Sequence, residues 1–331
     1  MSEATFTDLI DLAAARLGGA VLLANDEFFA PKEALLKPQA AEWREHEYTD
    51  RGKWMDGWET RRRRSPGHDW CLIRLGLAGV VRGIVVDTAF FRGNYPEHCE
   101  LEGCAIEGVP DPEALAADSG VKWHALVPRA ALAGDSRNLF AVACDERITH
   151  VRFRIFPDGG VARLRVHGEA RPETARFAAG RVLDLAALEN GGYVMVCSDM
   201  FFGHRQNLVL PGRSTHMGDG WETRRRRGPG HDWSIVRLAV RGTLSRVELD
   251  TDHFKGNAPG SAMLECCDTP HATADSLVAG AAWRPLVAQI PLQPHSRHAW
   301  DLAVPATATH VRLNIYPDGG VARLRLFGTR A

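Results

Sequence analysis

Apolar and polar positions alternate along much of this chain with the two-residue period of a half-buried strand, not the 3.6-residue period of a helix. Val151, Phe153 and Ile155 alternate with Arg152 and Arg154. After the turn-forming Pro157-Asp158-Gly159-Gly160, Ala162, Leu164 and Val166 alternate with Arg163, Arg165 and His167. This pattern predicts a hairpin with one apolar and one basic face. Residues 84–87 and 247–250 read as short strands that end at glycine-containing loops. Helical signals are few. Thr7 is placed to cap a segment through about Leu17, and Asp111-Pro112-Glu113 to start a short helix. Many short strands with Gly/Pro-rich turns predict an all-β chain of the sandwich type.

The pattern occurs twice. Asp56-Gly-Trp-Glu-Thr-Arg-Arg-Arg-Arg-Ser-Pro-Gly-His-Asp-Trp70 returns from Asp219 to Trp233, changed only at Ser65/Gly228. Thr149 to Arg165 returns from Thr309 to Arg325, changed only at Phe153/Leu313, Arg154/Asn314 and Phe156/Tyr316. Between these lie Asp87-Thr-Ala-Phe-Phe-Arg-Gly-Asn94 and Asp250-Thr-Asp-His-Phe-Lys-Gly-Asn257. The offset falls from 173 at Asp26/Asp199 to 163 at Asp56/Asp219 and 160 at Thr149/Thr309. The first copy therefore holds ten extra residues between Phe29 and Asp56, in a polar stretch, 37–52, that reads as a surface loop. A repeat this long is a duplicated domain rather than a solenoid unit. The prediction is two jelly-roll β-sandwiches, at 1–168 and 177–331, joined by a linker at 169–176.

Composition narrows the function. Of 331 residues, 45% are hydrophobic and 24% charged, enough for a folded core. Forty Lys and Arg against 41 Asp and Glu give a net charge of -1, which argues against nucleic acid and membrane surfaces as partners. No apolar stretch approaches the ~20 residues that span a bilayer. The start, Met1-Ser2-Glu3, lacks the basic residues of a signal peptide, so a cytoplasmic location is expected. Seven cysteines without C-x-x-C spacing predict neither a disulfide framework nor a zinc site, and Cys266-Cys267 reads as two positions on opposite faces of a strand.

The densest chemistry is Glu59 followed by Arg61-Arg62-Arg63-Arg64, and its copy Glu222 with Arg224 to Arg227. On a strand, two arginines of each run share the face of the glutamate. They either clamp a carboxylate ligand through the guanidinium fork or form an internal ion-pair network. Both readings stand. His68-Asp69 and His231-Asp232 offer a base or metal ligands, or hydrogen-bonded turns. The Asp87 and Asp250 loops differ between the copies: Ala89-Phe90 becomes Asp252-His253 and Arg92 becomes Lys255, which predicts more acid/base work in the second copy. Pro157–Gly160 and its counterpart at 317–320 read as plain turns. Glu102 and Glu265 are further carboxylates.

Taken together, the paired motifs D-G-W-E-T-R-R-R-R-x-P-G-H-D-W, D-T-x-x-F-x-G-N and T-H-V-R-x-x-I-x-P-D-G-G-V-A-R-L-R resemble the allantoicase family from roughly Gly18 to Gly328. The resemblance implies two galactose-binding-like, discoidin-type jelly rolls, hydrolysis of allantoate to ureidoglycolate and urea in purine catabolism, and a homo-oligomer, trimeric or hexameric. Allantoate carries one carboxylate and two ureido groups on one carbon. Arg61, Arg63, Arg224, Arg226 or Lys255 would hold the carboxylate, with Asn94 or Asn257 on a ureido group and His68 and His231 in the binding set. Acid/base work falls to His253 with Glu222 or Asp250, joined by Asp219, with Asp56, Glu59 and Asp87 as first-copy counterparts. A divalent metal such as manganese, held by His231, Asp232, Asp250 and His253, is the other way to activate water. The competing readings are a non-catalytic ligand- or carbohydrate-binding jelly roll, since fold alone does not fix function, and a hydrolase of another ureide.

Overall fold

A computed structural model of the chain describes residues 6–117 and 120–331. The acidic start at residues 1–5 lies outside the described residues. Two compact units divide between Arg171 and Pro172. Each is built around one long antiparallel strand, Asp69–Asp87 in the first and Asp232–Asp250 in the second.

The long strand serves two layers. In the first unit its opening half pairs with Ala20–Ala24 and Arg147–Phe156, and the latter continues the layer to His98–Cys104 and His124–Ala131. Its closing half pairs with Arg163–Ala170 and Arg137–Ala141. Glycines permit the change of layer, because a Cβ at Gly76 would lie 2.6 Å from the Leu17 carbonyl and one at Gly79 2.2 Å from that of Glu169. Burial of Ile73, Ile84, Val86, Phe153 and Leu164 fills the space between the layers. The second unit repeats this plan with Arg297–Tyr316, Ser261–Cys267, Arg284–Pro291 and Arg323–Arg330.

Three local expectations change. The predicted hairpin across Pro157–Gly160 does not form: Arg147–Phe156 and Arg163–Ala170 each pair with the long strand instead. Alternation specifies which face is buried, but not which strand lies alongside. Residues 84–87 and 247–250 are the ends of the 19-residue strands, not separate short ones. Nor is residue 7 to Leu17 one helix. It holds 3-10 turns at Phe6–Asp8 and Ala15–Leu17 around the strand Ile10–Asp11, whose Ile10 and Asp11 pair with Gly168 and His167. The helix Pro112–Ala116 does form, with Asp111 accepting from the Ala114 N–H as its cap. All seven cysteines are free.

Candidate active site

The two-residue strand Trp58–Glu59 pairs with Gly160–Val161. Trp58 is fully buried and its indole N–H donates to the Asp26 carbonyl at 2.8 Å. Strand alternation then turns Glu59 to the opposite face, where it is half-buried. There the Asn94 amide donates to Glu59 Oε1 at 2.7 Å. The turn at Pro157–Gly160, expected to be only a turn, is the brace that brings these two together. Gly160 N–H donates to the Asn94 carbonyl at 2.8 Å, and a Cβ at Gly160 would lie 1.9 Å from the Phe91 ring. Gly159 sits at a φ of +139° with its own Cβ position 2.7 Å from the Asn94 carbonyl. The second repeat reproduces this: Trp221 donates to the Asp199 carbonyl, Gly320 to that of Asn257, and the Asn257 amide to Glu222 Oε1 at 2.5 Å.

In the first repeat this dyad lies in a pocket. Glu59 and Asn94 line a pocket of about 310 Å³ with Phe29, Trp43, Met55 and Phe90, and with Lys53 and Arg92 as cations. Trp43 and Lys53 come from the extra loop of the first copy. The Trp43 and Phe90 rings are 5.8 Å apart, and Lys53 Nζ lies 4.7 Å from the Trp43 ring centre and donates to the Arg44 carbonyl. Asp56 anchors the base of that loop. Its carboxylate takes Lys37 Nζ at 2.8 Å, Arg163 Nη2 at 2.5 Å and the Glu42 N–H at 3.1 Å. Burial alone would raise the Asp56 carboxyl, but these donors hold it below the ordinary range. Burial pushes the Glu59 carboxyl up, with the Asn94 hydrogen bond opposing in part. Glu59 thus holds its proton to higher pH than a solvated glutamic acid.

The structure distributes the other sequence candidates differently. The arginine runs are not strands. Asp26 captures the Arg61 backbone N–H and side chain, and Asp158 captures the Arg63 N–H, which takes the backbone out of any ladder. Arg63 then pairs with buried Asp69 at 2.6 Å, Arg224 with Asp199 at 3.0 Å, and Arg226 with Asp232. Arg61, Arg63, Arg224 and Arg226 thus each make an internal ion pair. Asp219, like Asp56, is engaged by a buried arginine, Arg323, at 2.9 Å. Asp87 and Asp250 each accept the backbone N–H two residues on. Asp250 is raised chiefly by burial. Asp252 pairs with Arg213, and His253, at a left-handed φ of 69°, places Nε2 3.1 Å from the Ser214 carbonyl. Lys255 is exposed. His68 packs on Phe156, with its imidazole lowered first by burial and then by the Arg154 charge, and His231 Nε2 lies 3.0 Å from Asn314 Oδ1. Glu102 and Glu265 are bound by Arg152 and Arg312.

Among the described residues no three His, Cys, Asp or Glu side chains converge as ligands for a metal ion. His231, Asp232, Asp250 and His253 each have the separate partners just given, so they do not fit a shared divalent cation.

Sequence reasoning passed over Trp43, Lys53 and Met55, and noted Arg92 only as the counterpart of Lys255. The signal was present: an insertion unique to one copy that carries tryptophans and cations is poorly explained as a solvated loop.

A family model of the allantoicase repeat matches residues 10–171 and 183–331. A probable allantoicase of Streptomyces coelicolor is 46% identical, over 99% of this chain and 87% of its own. The allantoicase of Dictyostelium discoideum is 42% identical, over 97% and 87%. The crystal structure of allantoicase from Saccharomyces cerevisiae superposes with a TM-score of 0.82 at 34% identity, covering 98% of this chain and 97% of that one.

Proposed function

The chain belongs to the allantoicase family and hydrolyses allantoate to ureidoglycolate and urea, and from that premise we propose that the first repeat carries the reaction with the Glu59 carboxyl as proton donor. The observation that supports this is a protonatable, half-buried glutamate in a pocket that also holds two cations. Lys53 and Arg92 supply positive charge for the substrate carboxylate, and the Asn94 amide keeps Glu59 Oε1 in place so that the proton sits on Oε2. The carbon under attack carries two ureido nitrogens. As Glu59 protonates one of them, the lone pair of the other helps to expel urea and leaves a C=N cation. Water adds to that carbon and returns a proton to the Glu59 carboxylate. One oxygen enters, one C–N bond breaks, and the glutamic acid is restored. The walls of Trp43, Phe90 and Phe29 limit water around the developing charge.

The test is urea release from allantoate by purified protein and by Glu59→Gln, with substrate binding measured alongside. Glu59→Gln is expected to bind allantoate and to turn it over ~10²–10⁴-fold more slowly. Turnover within threefold of the parent overturns the assignment. Assembly of the chain into a homo-oligomer, trimeric or hexameric, belongs to the same reading; a monomer by light scattering at working concentration would remove it. Among the described residues no helix is long and apolar enough to cross a membrane.

A further inference from the structure

The second repeat contains a larger and more charged cavity than the pocket over Glu59. It has a volume of about 540 Å³ and is lined by five arginines and four carboxylates, with His298 among them. Several of its ion pairs are long or shared. Arg297 Nε is 4.0 Å from Asp250, and Arg325 Nε is 3.5 Å from Asp184. Arg297 and Arg246 share Glu248 at 3.3 and 3.0 Å. Arg246 and Arg297 are 42% and 56% exposed, so both can reach an incoming group.

The duplicated partner shows that the sandwich does not require this cavity. In the first repeat, Gly83 stands where Arg246 stands, Val85 where Glu248 stands, Asn138 where His298 stands and Leu139 where Ala299 stands. There Phe6 closes the space: its ring lies 6.0 Å from that of His167, and a Cβ on Gly83 would lie 2.2 Å from it. The residue at the position of Phe6 is Ala179. One copy is thus plugged with apolar groups, and the other is opened and charged.

We propose that this cavity binds a small ureido carboxylate, the arginines taking its carboxylate and Glu248 and Asp250 accepting from its N–H groups. A plain anion would use only half of this lining, whereas a ureido carboxylate supplies both an acceptor group and donors. Substrate and product of the reaction both have this chemistry, so the proposal rests on the activity stated above and makes the cavity a second, non-catalytic site for it. Burial pushes the Asp184 carboxyl up to about 6 and raises that of Asp250, so the arginines are less fully neutralised towards mildly acidic pH.

Ureidoacetate tests the idea, because it has the carboxylate and one ureido group but no second one to release. Its binding to the intact protein is measured by calorimetry, beside urea release from allantoate. Two variants remove the site by different routes: Arg246→Ala with Arg297→Gln discharges it, and Ala179→Phe with Arg246→Gly copies the plug of the first repeat. Each is expected to weaken one binding component at least tenfold while kcat stays within twofold. Acetate, which lacks N–H donors, is expected to bind that component at least tenfold more weakly than ureidoacetate. Binding curves that superimpose for the parent and both variants overturn the proposal, as does equal binding of acetate. Glu59→Gln separates the two readings: retention of this component with loss of turnover supports both, whereas full turnover defeats only the assignment of Glu59.

Discussion

The first repeat opens a pocket over Glu59 and fills the space beside Arg165 with Phe6, whereas the second opens the space beside Arg325 and carries no inserted loop beside Glu222. Both keep the same frame: a buried tryptophan, the glutamate–asparagine pair, the Pro-Asp-Gly-Gly brace and an arginine that locks an aspartate. The differences come from few residues. One insertion supplies Trp43 and Lys53, and one exchange of Phe6 for Ala179 unplugs the other copy. Duplication kept the pairing around the long strand because its register is fixed by burial on one face, while residues at the rim were free to diverge.

The comparison breaks most sharply at the two glutamates. Glu59→Gln is expected to lower kcat for urea release by ~10²–10⁴-fold, and Glu222→Gln by less than tenfold. Equal losses would show that both repeats catalyse. Asp56 offers a comparison in stability. Asp56→Ala strands the buried Arg163 and is expected to destabilise the protein by about 3–5 kcal/mol in denaturant unfolding. Asp219→Ala strands the buried Arg323 in the same way and is expected to be destabilising as well. A smaller effect is expected at the wall. Trp43→Ala should raise KM for allantoate by roughly tenfold with kcat within threefold, as a binding contact shared by ground and transition states does.

Acid and alkali should act on different residues. The Asp56 carboxyl is held low in the fold, so its contribution is present above the ordinary carboxylate range and is lost as pH falls through its folded value. Asp56→Asn should therefore flatten the acid limb of a stability–pH curve. The Glu59 carboxyl is raised, and in the proposed mechanism its protonated form is the donor, so kcat/KM should fall as pH rises through that raised value. An activity profile that stays flat on the alkaline side would remove Glu59 as the donor.

Alternation and turn chemistry made the β class legible, and the repeated motifs exposed the duplication. Glu59, Glu222, Asn94 and Asn257 were also visible as chemistry-bearing positions. The face of the arginines was misjudged because a run of four on a strand is geometrically sensible until Asp26 and Asp158 capture its backbone. No local rule announces such a capture.

By itself the sequence determined that one β domain was written twice, which residues alternate into its core and which family it joins. These properties follow from neighbours a few positions apart and from self-similarity. Only the tertiary structure decided which carboxylates are held by buried arginines. Asp56 and Asp219 were as plausible as Glu59 until Arg163 and Arg323 arrived from more than a hundred residues away. Asn94 reaches Glu59 because Gly160, on a third segment, holds its loop. An ionisable group takes its role from burial and from its partners, and both are set by where distant segments pack.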